Sequence, residues 1–288
     1  MKQLTLIHEN KIGNLTPGDL GVKRWEASGI LVRNHSFFVV FDDRPEIARL
    51  TDDLLPHESN GIFGTAGSDY GYEGITYNPR KRRFYLLVES RKHTDGCYKA
   101  VIVEYNEEFR FQKQRPVEFP FKSNNKGFEA VAYVHRDQND HLLALCEGNK
   151  CKCGKQGRKP GGGRVQLLQK RKKSWEQVDT ISLPTFVPFV DYSGMSIDRG
   201  RVAIVSQENS MLWIGQFDEA SWEWRDDGTL YEFPRAEDGA ILYGNIEGVA
   251  WLSANRIVAV SDRRKKLTQT DVRVSDKDQS IHIFDVPT

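Results

Sequence analysis

Five short phrases recur along this chain, and their spacing narrows the folds open to it more than any other feature. They read Ala27-Ser28-Gly29-Ile30, Tyr72-Glu73-Gly74-Ile75, Phe128-Glu129-Ala130-Val131, Tyr192-Ser193-Gly194-Met195 and Ile246-Glu247-Gly248-Val249. Each places a Ser or Glu before a small residue and then enters a β-forming run. The polar positions lie 45, 56, 64 and 54 residues apart. Recurrence on that scale, opening strand-like sequence each time, marks a β-propeller. The same position of every blade lies at the same radius, so the five polar side chains are expected to form a ring.

The strands can be placed repeat by repeat. The first repeat offers Gly29–Arg33, Ser36–Phe41 and Glu46–Leu50, with a fourth strand somewhere in Pro56–Ala66. The second offers Gly74–Tyr77, Arg83–Val88, Lys99–Tyr105 and Arg115–Phe119, and the third Ala130–Val134, Leu142–Cys146, Arg164–Gln169 and Gln177–Ser182. The fourth offers Gly194–Ile197, Arg201–Val205, Met211–Gln216 and Thr229–Phe233. The fifth has only Gly248–Trp251, Arg256–Val260 and Ser280–Phe284, one strand short. The N-terminal run Gln3–Ile7 is expected to supply the missing outer strand, which would close the seam and remove an open edge. The expected fold is therefore all-β: a single five-bladed propeller of four-stranded antiparallel blades over residues 1–288. A sixth blade is the alternative if Thr51–Tyr70 conceals strands. Glu219–Arg225 reads equally as a turn of helix or a wide loop.

Composition sets outer limits. Of 288 residues, 39% are hydrophobic and 11% aromatic, which suits thin sheets packed face to face. A formal net charge of +1 supplies no global field to recruit nucleic acid or a membrane surface. No run approaches ~18 uninterrupted apolar residues, and Met1–Asn10 lacks the apolar core of a signal peptide. As it stands the chain reads as a cytoplasmic monomer, or as periplasmic or exported if an N-terminal signal has been removed. Four cysteines (Cys97, Cys146, Cys151 and Cys153) are too few for a disulfide framework at this size. Three of them cluster as C-x4-C-x-C, which lacks the fourth ligand and the paired C-x2-C spacing of a zinc site. The reading preferred to zinc or a disulfide is reduced thiols, with Cys146 packed on a strand.

Two polar insertions interrupt the blades, at Lys150–Lys173 and Arg263–Asp278. The first is rich in Lys, Arg and Gly but lacks the order of a phosphate loop. It reads as a solvated connection that can rim a pocket. A small anionic ligand is the partner it would suit.

The ring itself would hold Ser28, Glu73, Glu129, Ser193 and Glu247. At ~6 Å and an effective dielectric of ~20, each carboxylate pair would cost about 3 kcal/mol. Three such pairs call either for protons or for a cation between them. All five residues offer oxygen, and none offers sulfur or imidazole. That donor set suits Ca²⁺, which takes 6–8 oxygens with loose geometry, better than Mg²⁺ or Zn²⁺. The competing reading is structural: a carboxylate at the start of an inner strand can simply bind backbone N–H groups of the next blade. The second strands end in Asp42, Glu89, Glu147, Gln207 and Asp262, 14 to 18 residues after their ring partners. Antiparallel geometry returns these ends to the same mouth. There they can orient the ring, and Glu89, Glu147 or Asp262 is the candidate catalytic base for a metal-bound water. The seven His are scattered, and no Ser-His-Asp or Cys-His set emerges.

At these residues the chain resembles a known family. Asn125-Lys126-Gly127-Phe128-Glu129-Ala130-Val131-Ala132-Tyr133, Gly71-Tyr72-Glu73-Gly74-Ile75-Thr76-Tyr77, Tyr192-Ser193-Gly194-Met195 and Asp42-Asp43 look like the SdiA-regulated β-propeller family of bacteria. That family is in turn similar to phytase-like esterase propellers. The order Ser, Glu, Glu, Ser, Glu resembles the calcium ring of the five-bladed calcium-activated nucleotidases (apyrases). That resemblance implies one axial Ca²⁺ on Ser28, Glu73, Glu129, Ser193 and Glu247, with Asp42 near the metal. Two functions follow as expectations: a Ca²⁺-organised ligand-binding or interaction scaffold, or a Ca²⁺-dependent hydrolase of phosphate esters or anhydrides.

Overall fold

The computed structural model describes residues 1–16, 25–64, 71–122, 127–263 and 277–287. The chain opens with β1 (Lys2–Gln3) and β2 (Thr5–Lys11). The first blade is β3 (Ala27–Arg33), β4 (Ser36–Phe41), β5 (Ile47–Thr51) and β6 (Gly61–Phe63). The second is β7 (Gly74–Asn78), β8 (Arg83–Lys92), β9 (Tyr98–Tyr105) and β10 (Phe111–Glu118). The third is β11 (Phe128–Arg136), β12 (Asn139–Cys146), β13 (Arg164–Lys170) and β14 (Trp175–Ser182). The fourth comprises β15 (Gly194–Asp198), β16 (Arg201–Ser206), β17 (Met211–Asp218), the short β18 (Glu223–Trp224) and β19 (Thr229–Glu232). β20 (Ile246–Ser253), β21 (Arg256–Ser261) and β22 (Ser280–Asp285) complete the chain.

Neighbouring strands pair antiparallel within each group (β18 and β19 both pair with β17), and the outer strands of the second and third groups touch through a two-residue parallel pairing, Val117 with Trp175 and Glu118 with Glu176. The first strands β3, β7, β11, β15 and β20 each pack on the next, and β20 returns to β3. A cycle of antiparallel sheets around one axis is a β-propeller. The expected closure is present: β2 pairs antiparallel with β22 as the outer strand of the last blade. β1 pairs instead with β19 of the fourth blade, so the N-terminal segment fastens two blades.

A separate apolar core fills each space between neighbouring blades. Phe38 and Phe84 lie in the first-to-second core, Tyr85 and Trp175 in the second-to-third. Leu167 and Trp213 lie in the next, Tyr231 and Phe284 in the one after, and Phe37 and Ile283 between the last blade and the first. The sheets are covered on both faces, so strands such as Phe37–Phe41 are apolar throughout rather than alternating. At the axis the first strands come very close. A methyl group on Gly29 would lie 2.9 Å from Gly74 Cα, and one on Gly248 2.9 Å from Gly29 Cα. The small residue after each ring position is what permits that approach.

Several local expectations change. Cys146, buried at the end of β12, forms a disulfide with Cys151, while Cys97 and Cys153 are free and exposed. The reduced-thiol reading is thereby corrected for that pair: the turn after β12 brings together two cysteines that are five residues apart. Glu219–Arg225 is neither a helical turn nor only a loop, because Glu223–Trp224 pairs with Phe217–Asp218. The basic insertion is shorter than Lys150–Lys173, since Arg164–Lys170 is a regular strand. In the first blade the outer strand is Gly61–Phe63, and no further strand lies among the described residues of Thr51–Tyr70. Most of the second insertion, 264–276, lies outside the described residues.

Candidate functional site at the axial mouth

The ring residues sit on β-bulges. Ala27 pairs with Phe41 and Gly29 with Val40, so Ser28 is the extra residue of its strand. The same skip falls at Glu129, between Phe128–Cys146 and Ala130–Leu145, and at Glu247, between Ile246–Ser261 and Gly248–Val260. In the second and fourth blades the ring residue shares one partner with its neighbour. Glu73 N–H donates to Leu87 O (2.9 Å) opposite Gly74, and Ser193 N–H donates to Val205 O (3.0 Å) opposite Gly194. A bulge sets two residues against one and re-aims the extra side chain.

The structure places Ser28, Glu73 and Glu129 around a cavity of about 10 Å³, with Gly29, Gly74, Ala130, Gly194 and Gly248 at its waist. That is room for about one water-sized guest. The two serines already have backbone partners in the following blade: Ser28 Oγ donates to Tyr72 O, and Ser193 Oγ donates to Ile246 O at 2.7 Å. Each hydroxyl oxygen keeps its lone pairs. Glu129 has protein atoms on all sides yet keeps partial access to the axis; burial pushes its carboxyl well up, and Glu73, Glu147, Glu247 and Glu89 push it further. Glu247 is raised in the same way, by burial and then by Asp262, Glu73, Asp191 and Asp42. The ring acids and the strand-end acids therefore share one field.

Backbone hydrogen bonds bring the strand ends to this mouth. Asp42 N–H donates to Glu26 O (3.0 Å), Glu147 N–H to Gly127 O (3.4 Å) and Asp262 N–H to Asn245 O (2.9 Å), extending the pairing of first and second strands by a step. Glu89 lies against Gly127, where a methyl group would stand 3.4 Å from its Cγ. Gln207 is different: its carbonyl only closes the turn to Ser210, 3.2 Å away.

Two acids at this mouth are absent from the sequence reading. Carboxylate oxygens of Glu26, Asp42 and Asp262 all lie within 4.8 Å of one another. Asp191 is buried, accepts from Ser206 Oγ, and is raised to about 6 by that burial and by Glu208. Both new acids stand two residues before a ring serine. Before the ring glutamates the same place holds Gly71, Gly127 and Asn245. That complementary pattern was a usable signal.

The basic insertion docks on the segment that leads into β15. Asn149 pins it: its amide nitrogen donates to Gly157 O (2.9 Å) and Phe189 O (3.0 Å), and its oxygen accepts from Gly162 N–H (2.9 Å) and Tyr192 Oη–H (3.0 Å). Arg158 then makes a two-pronged pair with Glu208 of the fourth blade.

No family model and no curated protein matches the chain. Among solved structures, glutaminyl cyclase from Myxococcus xanthus superposes with a TM-score of 0.59 and 11% identity, over 100% of this chain and 98% of that one. The GH43_1 enzyme from Xanthomonas citri, complexed with xylose, gives 0.50 and 9%, over 94% and 90%. At such identities the likeness extends to the fold alone. Fold and site together define a β-propeller with an acidic axial mouth.

Proposed function

We propose that this chain is a five-bladed β-propeller that binds one divalent cation, Ca²⁺, at the acidic mouth, and serves as a cation-organised ligand-binding scaffold. The observation that carries the reading is that Glu73 and Glu129 line a one-guest cavity whose wall includes Gly248, next to Glu247, while burial and then the neighbouring acids push Glu129 and Glu247 toward protonation. A cation relieves what would otherwise require protons. The donors fit a hard ion, being carboxylate and hydroxyl oxygens only. Ser28, Glu73, Glu129, Ser193 and Glu247 would hold it, with Glu26, Asp42 and Asp262 beside Glu247. The order Ser, Glu, Glu, Ser, Glu, which resembles the calcium ring of apyrases, supports the same ion.

Elemental analysis is expected to find about one calcium per chain. Ca²⁺ at ~100 times its Kd should stabilise the fold by about 2.7 kcal/mol against a chelator control. Glu129→Gln should remove that gain. If only Glu26→Gln or Asp262→Asn removes it, the ion belongs to that trio and the ring assignment fails.

The second reading, hydrolysis of a phosphate ester or anhydride, draws on Glu89, Glu147 and Asp262 standing beside the ring acids. Turnover of nucleotides, phytate or aryl esters that needs Ca²⁺ and disappears in Glu147→Gln, with Ca²⁺ still bound, would establish it. Silence across that panel leaves the scaffold.

A further inference from the structure

A far larger space lies at the far ends of three of the inner strands. There the ends of β3, β15 and β20 line a cavity of about 530 Å³ that is open to solvent. We propose that this cavity binds an organic monocarboxylate with a compact apolar body.

Its walls and its charge both point that way. Leu31, Val32, Ile197 and Leu252 line it, and each is only partly covered by the interblade cores, so each presents apolar surface to the space. A cavity of this size can take a small organic molecule, and Ser196, Asp198, Arg199 and Ser253 add polar lining beside the apolar walls. The charged groups are two arginines and one aspartate. Arg201 is fully engaged: its guanidinium lies 4.2 Å above the Trp251 ring, donates to Ala254 O, and pairs with Asp198 Oδ2 at 3.1 Å. Trp251 Nε1–H returns a bond to Arg201 O at 3.2 Å, so the stacked pair forms a rigid wall.

Arg199 is not held in this way. Its side chain is 93% exposed, and among the described residues a 3.9 Å contact with Asp198 Oδ1 is its one ion pair. It sits in a left-handed turn (φ 51°) that projects it at the rim. The site thus carries one cationic charge in excess, on a guanidinium able to grip a carboxylate with two parallel bonds. A dianion would be opposed by Asp198, and a neutral ligand would leave Arg199 unused. One negative charge on an apolar body satisfies both halves of the cavity.

The test is calorimetric titration with 2-naphthoate and its uncharged counterpart 2-naphthamide, run in chelator so that the outcome does not depend on the acidic mouth. Naphthoate is expected to bind once per chain, and the amide about tenfold more weakly, the value of a charge-assisted hydrogen bond. Arg199→Gln should abolish the preference for the acid. Leu252→Glu, on a partly exposed wall, should prevent naphthoate binding. Circular dichroism checks that both variants remain folded. Absence of binding up to on the order of 1 mM, equal affinity for acid and amide, or affinity unmoved by both substitutions would overturn the proposal.

Discussion

Ser28, Glu129 and Glu247 are the extra residues of bulged strands, and this local irregularity turns their side chains out of the alternation of an ordinary strand. Alternation governs sequence patterns, so a bulge is hidden from them. The polar residues of the mouth were legible because they recur. Their partners were less so: the serine hydroxyls meet backbone carbonyls, which no side-chain pattern encodes. Glu26 and Asp191 were overlooked because they precede the repeated phrase. A separate residue-scale prediction concerns the relay of the closing seam, in which His282 is buried and Glu9 partly exposed. Glu9 accepts from Lys277 and lies 3.0 Å from His282 Nδ1, while His282 Nε2 lies 3.2 Å from Ser261 Oγ and Tyr243 packs edge-on against the imidazole. The hydrogen bond to His282 leads in lowering Glu9 to about 2, against an ordinary value of 4.5. Its contribution is complete above pH 4.5 and is lost as pH falls toward 2. Burial lowers His282, so the unfolded chain takes up its proton first and stability also falls as pH drops below 6.5. Glu9 alone corresponds to about 3 kcal/mol, which partial exposure trims to about 2 kcal/mol. Melting curves from pH 7 to 3 should therefore show a continuous decline. Glu9→Gln should melt lower at pH 7 and flatten the part below pH 4.5; an unchanged profile would remove the relay from the account.

At the scale of elements, strand order and most boundaries follow from β-forming runs separated by polar turns. Arg256–Ser261 and Met211–Asp218 lie within a residue or two of expectation. The disulfide could not be read in the same way, because C-x4-C spacing is compatible with paired, metal-bound or reduced thiols, and the turn geometry decides among them. Closing so short a loop should stabilise by about 2 kcal/mol in the chain-entropy view. Urea unfolding of the Cys146→Ser, Cys151→Ser double variant should therefore move the midpoint down with the slope unchanged. The inner strands allow a stricter test. A methyl group at Gly29 would meet Gly74 Cα at 2.9 Å, Val40 Cγ2 at 3.0 Å and Glu73 O at 3.1 Å. Overpacking of that kind costs about 1–3 kcal/mol. Gly29→Ala should unfold at correspondingly lower urea, and a neutral result would mean that the waist is looser than described.

For the molecule as a whole, the cyclic architecture was the most legible property, because the repeat length and the strand missing from the last group both announce it. Function was the least legible, since the same sheets can carry many chemistries and only the mouths of the axis differ. The closure is also where global stability is most exposed. Removing residues 2–11 deletes β1 and β2, uncovers the edges of β19 and β22, and takes Leu4 out of a core. That variant is expected to aggregate or to melt well below the intact chain by calorimetry, because unpaired edges recruit one another. A monomer with unaltered melting would show the clasp to be dispensable.

The clasp also bears on the order of events during synthesis. Thr5–Lys11 is made before β3 to β21, and its partner Ser280–Asp285 after them. Every intervening strand must be made before these two can meet, and contacts so distant along the chain form slowly. Until then β2 waits without its mate, an edge open to pairing with a stranger.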